Sequence, residues 1–91
     1  MSQPVAEVGA YKNMTASGAV TTGPCQLLGF YVNSTTVGTL VLRDGGASGT
    51  VMCGTITPAI GYHPFPANVG TSLHATIGGT IDVTFFFASG N

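Results

Sequence analysis

The sequence predicts an all-β fold, an antiparallel β-sandwich of jelly-roll type with about six to eight strands. Three observations indicate it. From residue 19 onward, short runs of β-forming residues are separated by clusters of Gly, Pro, Asn and Asp every 8 to 12 residues or so. Within several runs, apolar and polar residues alternate. The length of 91 residues suits one domain with a single core. A small barrel is the alternative that the pattern leaves open.

The chain divides into an arm and a domain. Residues 1–18 contain Glu7 and Lys12 and show no sustained period of 2 or 3.6, so we expect an extended N-terminal arm. Residues 19–91 form the predicted sandwich. Its first strand covers residues 25–33, and Gly29 indicates a bend within it. The second covers 39–43, where Leu40 and Leu42 share one face.

The later elements are bounded by turn and breaker signals. The sequence Asp-Gly-Gly at 44–46 predicts a turn into a strand at 49–57, which Pro58 ends. Residues 59–70 contain two X-Pro bonds, and we expect a long irregular connection there because proline cannot continue a central strand. Strands at 72–77 and 80–87 flank Gly78-Gly79, which predicts a two-residue hairpin turn. Leu73, Ala75 and Ile77 share one face of the first strand. In the second strand, one face is predicted to carry Ile81, Val83, Phe85 and Phe87, and the outer face Asp82, Thr84 and Phe86.

The composition excludes several functions. Charged residues make up 5% of the chain, against about 25% in ordinary domains, and the net charge is −1. Such a chain lacks the basic surface that nucleic acids or anionic membranes require. Its apolar runs are far shorter than the roughly 20 residues that span a bilayer. The N-terminus has no basic start and no apolar core, so we expect synthesis in the cytoplasm of the host cell.

The titratable residues predict no catalytic, metal or cofactor site, so we do not expect an enzyme. Asp44 suits a turn, and Asp82 suits the outer face of the last strand, where a charge limits aggregation of the run TIDVTFFF. His63 and His74 are too few for a zinc site within one chain, although a symmetric oligomer can bring copies of one histidine together.

Two cysteines, Cys25 and Cys53, lie in predicted strands without a CxxC spacing. Such residues are usually buried free thiols, with a disulfide as the next alternative. The sequence does not decide their redox state.

The low charge favours assembly, because a surface with few ions is poorly soluble unless much of it is covered. We therefore expect a homo-oligomer, with a trimer favoured. Contact residues are expected in the arm and in the aromatic connection, since apolar and aromatic side chains dominate interfaces. These predicted interface residues are Val5, Val8, Tyr11, Tyr62, His63 and Phe65.

Several segments resemble small virion proteins of tailed bacteriophages. They are GPCQL at 23–27, GFYV at 29–32, GTLVLRDG at 38–45, TITP at 55–58 and TIGGTIDVT at 76–84. The resemblance covers residues 16–89. It implies a capsid decoration (cement) protein, a β-sandwich that binds the major capsid protein on the outer head surface and stabilises contacts between capsomers. Such proteins are often trimers at local threefold axes. The expected location is therefore the virion.

Two alternatives remain. One is a neck, tail or fibre component of the virion, which differs in copy number. The other is a carbohydrate-binding β-sandwich module, in which Tyr11, Tyr31 and Tyr62 stack on sugar rings, although the chain has no tryptophan for that purpose.

Overall fold

The computed structural model describes residues 10–89. These residues form six strands and no helix, and three quarters of them lie in strands. The strands are β1 (Ala10–Met14), β2 (Gly18–Ala19), β3 (Cys25–Asp44), β4 (Thr50–Ile56), β5 (Gly61–Val69) and β6 (Leu73–Ser89). The prediction of an all-β, antiparallel fold is confirmed.

All six strands belong to one antiparallel sheet with two long strands at its centre. β3 and β6 pair from Cys25 opposite Ser89 to Asp44 opposite Leu73. The first half of β3 pairs on its other side with β5, and the second half pairs with β4. In the same way, β1 and β2 flank the two halves of β6. We call β3 and β6 together the long strand pair. It has two halves, each with its own pair of flanking strands.

Three bulges make β3 longer than its partner. Its register against β6 shifts between Leu27 and Gly29, between Val32 and Ser34, and between residues 36 and 39. The shifts account for the lengths of 20 residues in β3 and 17 in β6. Each extra residue reverses which side chains face inward. The bend that Gly29 indicated is confirmed as the first of these bulges.

The long strand pair folds back on itself. A straight strand of 20 residues would span about 66 Å, whereas the longest dimension of the molecule is 45 Å. The hydroxyl of Thr21 accepts a 2.9 Å hydrogen bond from the amide of Leu73, at the start of β6. The same hydroxyl lies 3.8 Å from Sγ of Cys25, which pairs with Ser89 at the end of β6. The two ends of β6 thus lie close together.

A single carboxylate at the end of β3 holds the two ends of the long strand pair together. Asp44 Oδ1 accepts hydrogen bonds from the amides of Thr71 and Ser72, at 2.9 and 3.3 Å, and Oδ2 accepts one from Gly70 at 3.0 Å. These residues connect β5, which pairs with the start of β3, to β6. The hydrogen bonds lower the pKa of the Asp44 carboxyl from its ordinary value. Asp44, which the sequence placed in a turn, is the last residue of β3 and also holds the β5–β6 connection.

The long strand pair folds back around Val37, Gly38 and Gly79, which we call the fold point. The backbone geometry there is unusual. Gly79 has a φ of 68°, and a Cβ there would collide with the backbone carbonyl of Val37. A Cβ on Gly38 would lie 2.6 Å from the Cβ of Ile81. Val37 itself has a φ of 54°, which is strained for a β-branched residue, and its side chain is 81% exposed.

The inner face of the sheet forms one hydrophobic core. Along β6 the odd-numbered side chains face inward, as predicted, and the rings of Phe85 and Phe30 lie 5.7 Å apart. The buried hydrophobic side chains are Met14, Val20, Cys25, Leu27, Phe30, Val32, Leu40, Leu42, Val69, Leu73, Ala75, Ile81, Val83 and Phe85.

The predicted arm over residues 1–18 is wrong for its second half. Residues 10–14 and 18–19 form β1 and β2, which pair with β6. Only Met14 of β1 is buried, so the strand shows no alternation that the sequence could reveal. Residues 1–9, with Val5 and Val8, lie outside the described residues.

Two predicted breaks are also wrong. Residues 61–69 form β5 rather than an irregular connection, and Pro64 and Pro66 fit because β5 pairs only with β3 among the described strands. Gly78 and Gly79 form no hairpin turn, since β6 continues through them and bends there. Residues 34–38 likewise lie within β3, so the predicted strands 25–33 and 39–43 are parts of one strand.

Relieving the strain at Val37 should stabilise the protein. We expect Val37→Gly to raise the free energy of unfolding by about 0.5–1 kcal/mol, because the strain relieved exceeds the entropy that glycine adds to the unfolded chain. Urea denaturation measures this change. Val51→Gly is the matched control, since Val51 is exposed in β4 without a positive φ, and it should lose about 1 kcal/mol. A loss of stability in both variants would contradict the inference that the backbone at Val37 is strained.

The Asp44 carboxylate should make stability depend on pH. Because its pKa is lowered in the folded state, its contribution is fully present above the ordinary aspartate pKa and is lost as the pH falls through the folded value. We expect Asp44→Asn to lower the urea midpoint at neutral pH, and the difference from the wild type to shrink in strong acid. A constant difference across this range would contradict the role of the charge.

Candidate functional site

All three tyrosines of the chain lie on the outer face of the sheet. Tyr11 of β1 lies opposite Phe86 of β6, and Tyr31 of β3 lies opposite Tyr62 of β5. Their exposed fractions are 74% for Tyr11, 43% for Tyr31 and 51% for Tyr62. Each alternates along its strand with residues of the opposite face. We call Tyr11, Tyr31, Tyr62 and Phe86 the tyrosine face.

Gly29 allows the rings of the tyrosine face to approach one another. A Cβ at Gly29 would lie 2.5 Å from the hydroxyl of Tyr62 and 2.7 Å from the carbonyl oxygen of His63. The absence of a side chain therefore leaves room for Tyr62 to lie across β3. Its ring centroid is 6.3 Å from that of Phe86, in a tilted arrangement.

A hydrogen-bonded polar cluster lies beside the tyrosine face. Nδ2 of Asn13 donates to Asp82 Oδ1 at 2.6 Å and to Thr84 Oγ1 at 3.0 Å. Nδ2 of Asn33 donates to the same two atoms, at 3.2 and 3.1 Å. We call Asn13, Asn33, Asp82 and Thr84 the Asp82 cluster. It joins β1, β6 and β3, and it confirms that Asp82 lies on the outer face.

The predicted interface residues separate into groups. Tyr11 and Tyr62 belong to the tyrosine face, whereas the rings of His63 and Phe65 pack against Phe30, with centroids 5.2 and 6.5 Å away. Nε2 of His63 also lies 2.7 Å from the carbonyl oxygen of Ala59, to which it donates. The structure thus brings two of the six residues together on one surface. Their role in an interface stays a prediction.

The two cysteines are free thiols. Cys25 is buried, as predicted, whereas Cys53 is half-buried. Burial raises the pKa of the Cys25 thiol, and the hydrogen bond from Thr21 opposes this rise. Cys25 lies with Phe87 in the lining of a cavity of about 350 Å³. A buried thiol with a raised pKa is a poor nucleophile, in agreement with the buried free thiol that the sequence predicts for Cys25.

The two histidines lie far apart on the sheet. His63 lies in β5 near Phe30, and His74 lies opposite Arg43 in the other half of the β3–β6 pair. Within residues 10–89, no three His, Cys, Asp or Glu side chains are grouped so that they could hold a metal ion. The same residues form no helix long and apolar enough to cross a membrane.

Sequence reasoning missed most of the Asp82 cluster. The alternation of Asp82, Thr84 and Phe86 placed these residues on one outer face, but it did not identify their neighbours. Asn13 was assigned to the arm, and no local pattern connects it to Asn33. Their proximity depends on the pairing of β1 and β3 with β6, which involves residues about 50 to 70 positions apart.

Comparison with known proteins adds no assignment. No protein-family model matches the chain, and no significant match was found among the curated proteins or among the solved structures. The function must therefore be inferred from the residues themselves.

Proposed function

We propose that this protein is a structural virion protein of a tailed bacteriophage, which binds the major capsid protein on the outer head surface as a decoration or cement protein. The observation that carries the proposal is a surface poor in charge and rich in exposed apolar side chains. Besides the tyrosines, Val37, Val51 and Ile60 are exposed. Such a surface suits a protein that is partly covered in an assembly. The resemblance to small phage virion proteins supplies the partner.

The edges of the sheet favour contact through surfaces rather than through added strands. β5 carries Pro64 and Pro66, β1 carries Lys12, and β4 pairs with β3 through two register shifts. Prolines, charges and bulges all discourage pairing of an edge with another chain. Assembly by side-chain contact is consistent with a protein that associates in a defined way, since open edges would permit unlimited pairing.

We further propose that the sheet forms two packed layers, the sandwich or jelly-roll arrangement that the sequence predicts. The folding back of β3 and β6 supports it, as does the single core on the inner face. Nuclear Overhauser effects test it. We expect methyl contacts between the first half of β3, at Leu27 or Val32, and the second half, at Leu40 or Leu42. Contacts confined to sheet neighbours would contradict two layers.

The contact with the shell is assigned to the N-terminal segment, residues 1–9, which includes Val5 and Val8. Residues 10–19 belong to strands, so they are needed for the fold. Tyr11 and Tyr62 lie on the tyrosine face and are not assigned to this contact. Cementing then acts by binding, because a protein that binds only the assembled shell stabilises it in proportion to occupancy.

Truncation separates the contact segment from the fold. We expect a variant lacking residues 1–9 to keep the cooperative unfolding of the full chain but to lose binding to phage heads from which this protein is absent. A variant lacking residues 1–18 should be destabilised, because it removes β1 and the buried Met14. Cosedimentation with heads measures binding, and urea denaturation measures stability.

Two further measurements complete this test. Light scattering should give a mass of about 27 kDa for the favoured trimer, since the chain has a mass of 9.1 kDa. Hundreds of copies per particle would support a head decoration, whereas a dozen or fewer would indicate a neck or tail component. Equal head binding by the full chain and the variant lacking residues 1–9 would contradict the assigned contact.

A further inference from the structure

We propose that the tyrosine face, together with the Asp82 cluster, is a binding site for a neutral oligosaccharide of hexopyranose units. This inference goes beyond the proposed virion role and does not rest on it. It depends on how exposed rings, fixed hydrogen-bonding groups and charge are combined on one surface.

The rings provide the stacking surface. The C–H groups on one side of a pyranose ring pack on an aromatic face, and tyrosine combines such a face with a polar hydroxyl. Tyr11 and Tyr62 lie on the outermost strands of the four-stranded segment β1–β6–β3–β5. Three strand spacings separate these strands, or about 14 Å. A surface of that length suits several sugar units in a row rather than a single ring.

The polar cluster provides directed hydrogen bonds. The four hydrogen bonds from Asn13 and Asn33 hold Asp82 and Thr84 in place before any ligand arrives, so little side-chain entropy is lost on binding. Within the described chain, these hydrogen bonds use Asp82 Oδ1, while no donor lies within bonding distance of Oδ2. A free carboxylate oxygen is an acceptor for hydroxyl donors, which a saccharide has in abundance.

The charge distribution selects the class of ligand. Asp82 is the one ionised group on this face among the described residues. Lys12 lies opposite Phe85, whose side chain faces inward, so it belongs to the other face of β1, and Arg43 lies in the far half of β3. A carboxylate without a neighbouring cation repels nucleic acids and acidic polysaccharides. A neutral ligand rich in hydroxyl groups avoids this repulsion.

The chain contains its own reporter for this site. It has three tyrosines and no tryptophan, so its intrinsic fluorescence comes from Tyr11, Tyr31 and Tyr62. We expect at least one of cellohexaose, maltohexaose and chitohexaose to change tyrosine emission saturably at millimolar concentration. The same sugar should shift the backbone amide resonances of β1, β5 and the second half of β6. Polygalacturonate, an anionic polymer, should leave both signals unchanged.

Variants test which side chains carry the binding. Tyr11→Ala should weaken affinity about tenfold, equivalent to about 1.4 kcal/mol, whereas Tyr11→Phe should keep most of it because the ring remains. Asp82→Asn should weaken binding without removing the stacking surface. Val51→Ala, an exposed position in β4, is the control and should bind as the wild type does. Circular dichroism and amide spectra confirm that each variant is folded, and Tyr11 is the safest site because its side chain is largely exposed.

Several outcomes would overturn the inference. One is the absence of any saturable response to all three hexasaccharides. Another is unchanged affinity in folded Tyr11→Ala. If the wild type ignores these sugars while Tyr11→Ala loses binding to phage heads, the tyrosine face is a shell contact and not a saccharide site. Saccharide binding is measured on the isolated protein, so its failure is distinct from a failure of head binding.

Discussion

The folding back of the paired strands β3 and β6 is the constraint on which the rest of this structure depends. A flat sheet would leave its apolar face in water, and a chain of 91 residues has no helix in its described part to cover that face. In the two-layer arrangement that we propose, bending the two long strands lets the sheet bury its own inner side chains. The small residues Gly38 and Gly79 permit the close approach at the fold point, and Asp44 holds the opposite ends together.

The same constraint explains why the inward-facing positions change along β3 but not along β6. The three bulges lengthen β3 and change its inward-facing positions, so Cys25 and Leu27 are followed by Phe30 and Val32 on the buried face. β6 keeps a single period of two because the extra residues all lie in its partner. The curvature of the strands, the bulges and the choice of buried residues therefore depend on one another, since a bulge increases local twist and bending.

The outer face follows from the inner one. Once alternate residues of β1, β6, β3 and β5 enter the core, the residues between them must face outward side by side. That geometry places the tyrosine face next to the Asp82 cluster, although their residues are dispersed from Tyr11 to Phe86 along the chain. The resulting surface combines exposed rings with an oriented carboxylate, and the proposed saccharide site rests on this combination.

The sequence by itself determined the local properties of this protein. The alternation in residues 72–77 and 80–87 predicted the faces of β6. The spacing of turn residues predicted an all-β chain, and the composition predicted a surface poor in charge. These features depend on nearest neighbours and on residue type, so they can be read locally. Asp82 was correctly placed on the outer face for the same reason.

Only the tertiary structure decided which elements are continuous and which are paired. Gly78-Gly79 resembles a hairpin turn in sequence, yet β6 runs through it because its partner is β3 rather than the following residues. Pro64 and Pro66 appeared to exclude a strand, yet β5 tolerates them at an edge. The candidate site was hidden for the same physical reason: strand pairing joins residues far apart in the chain, and no local signal encodes the partner.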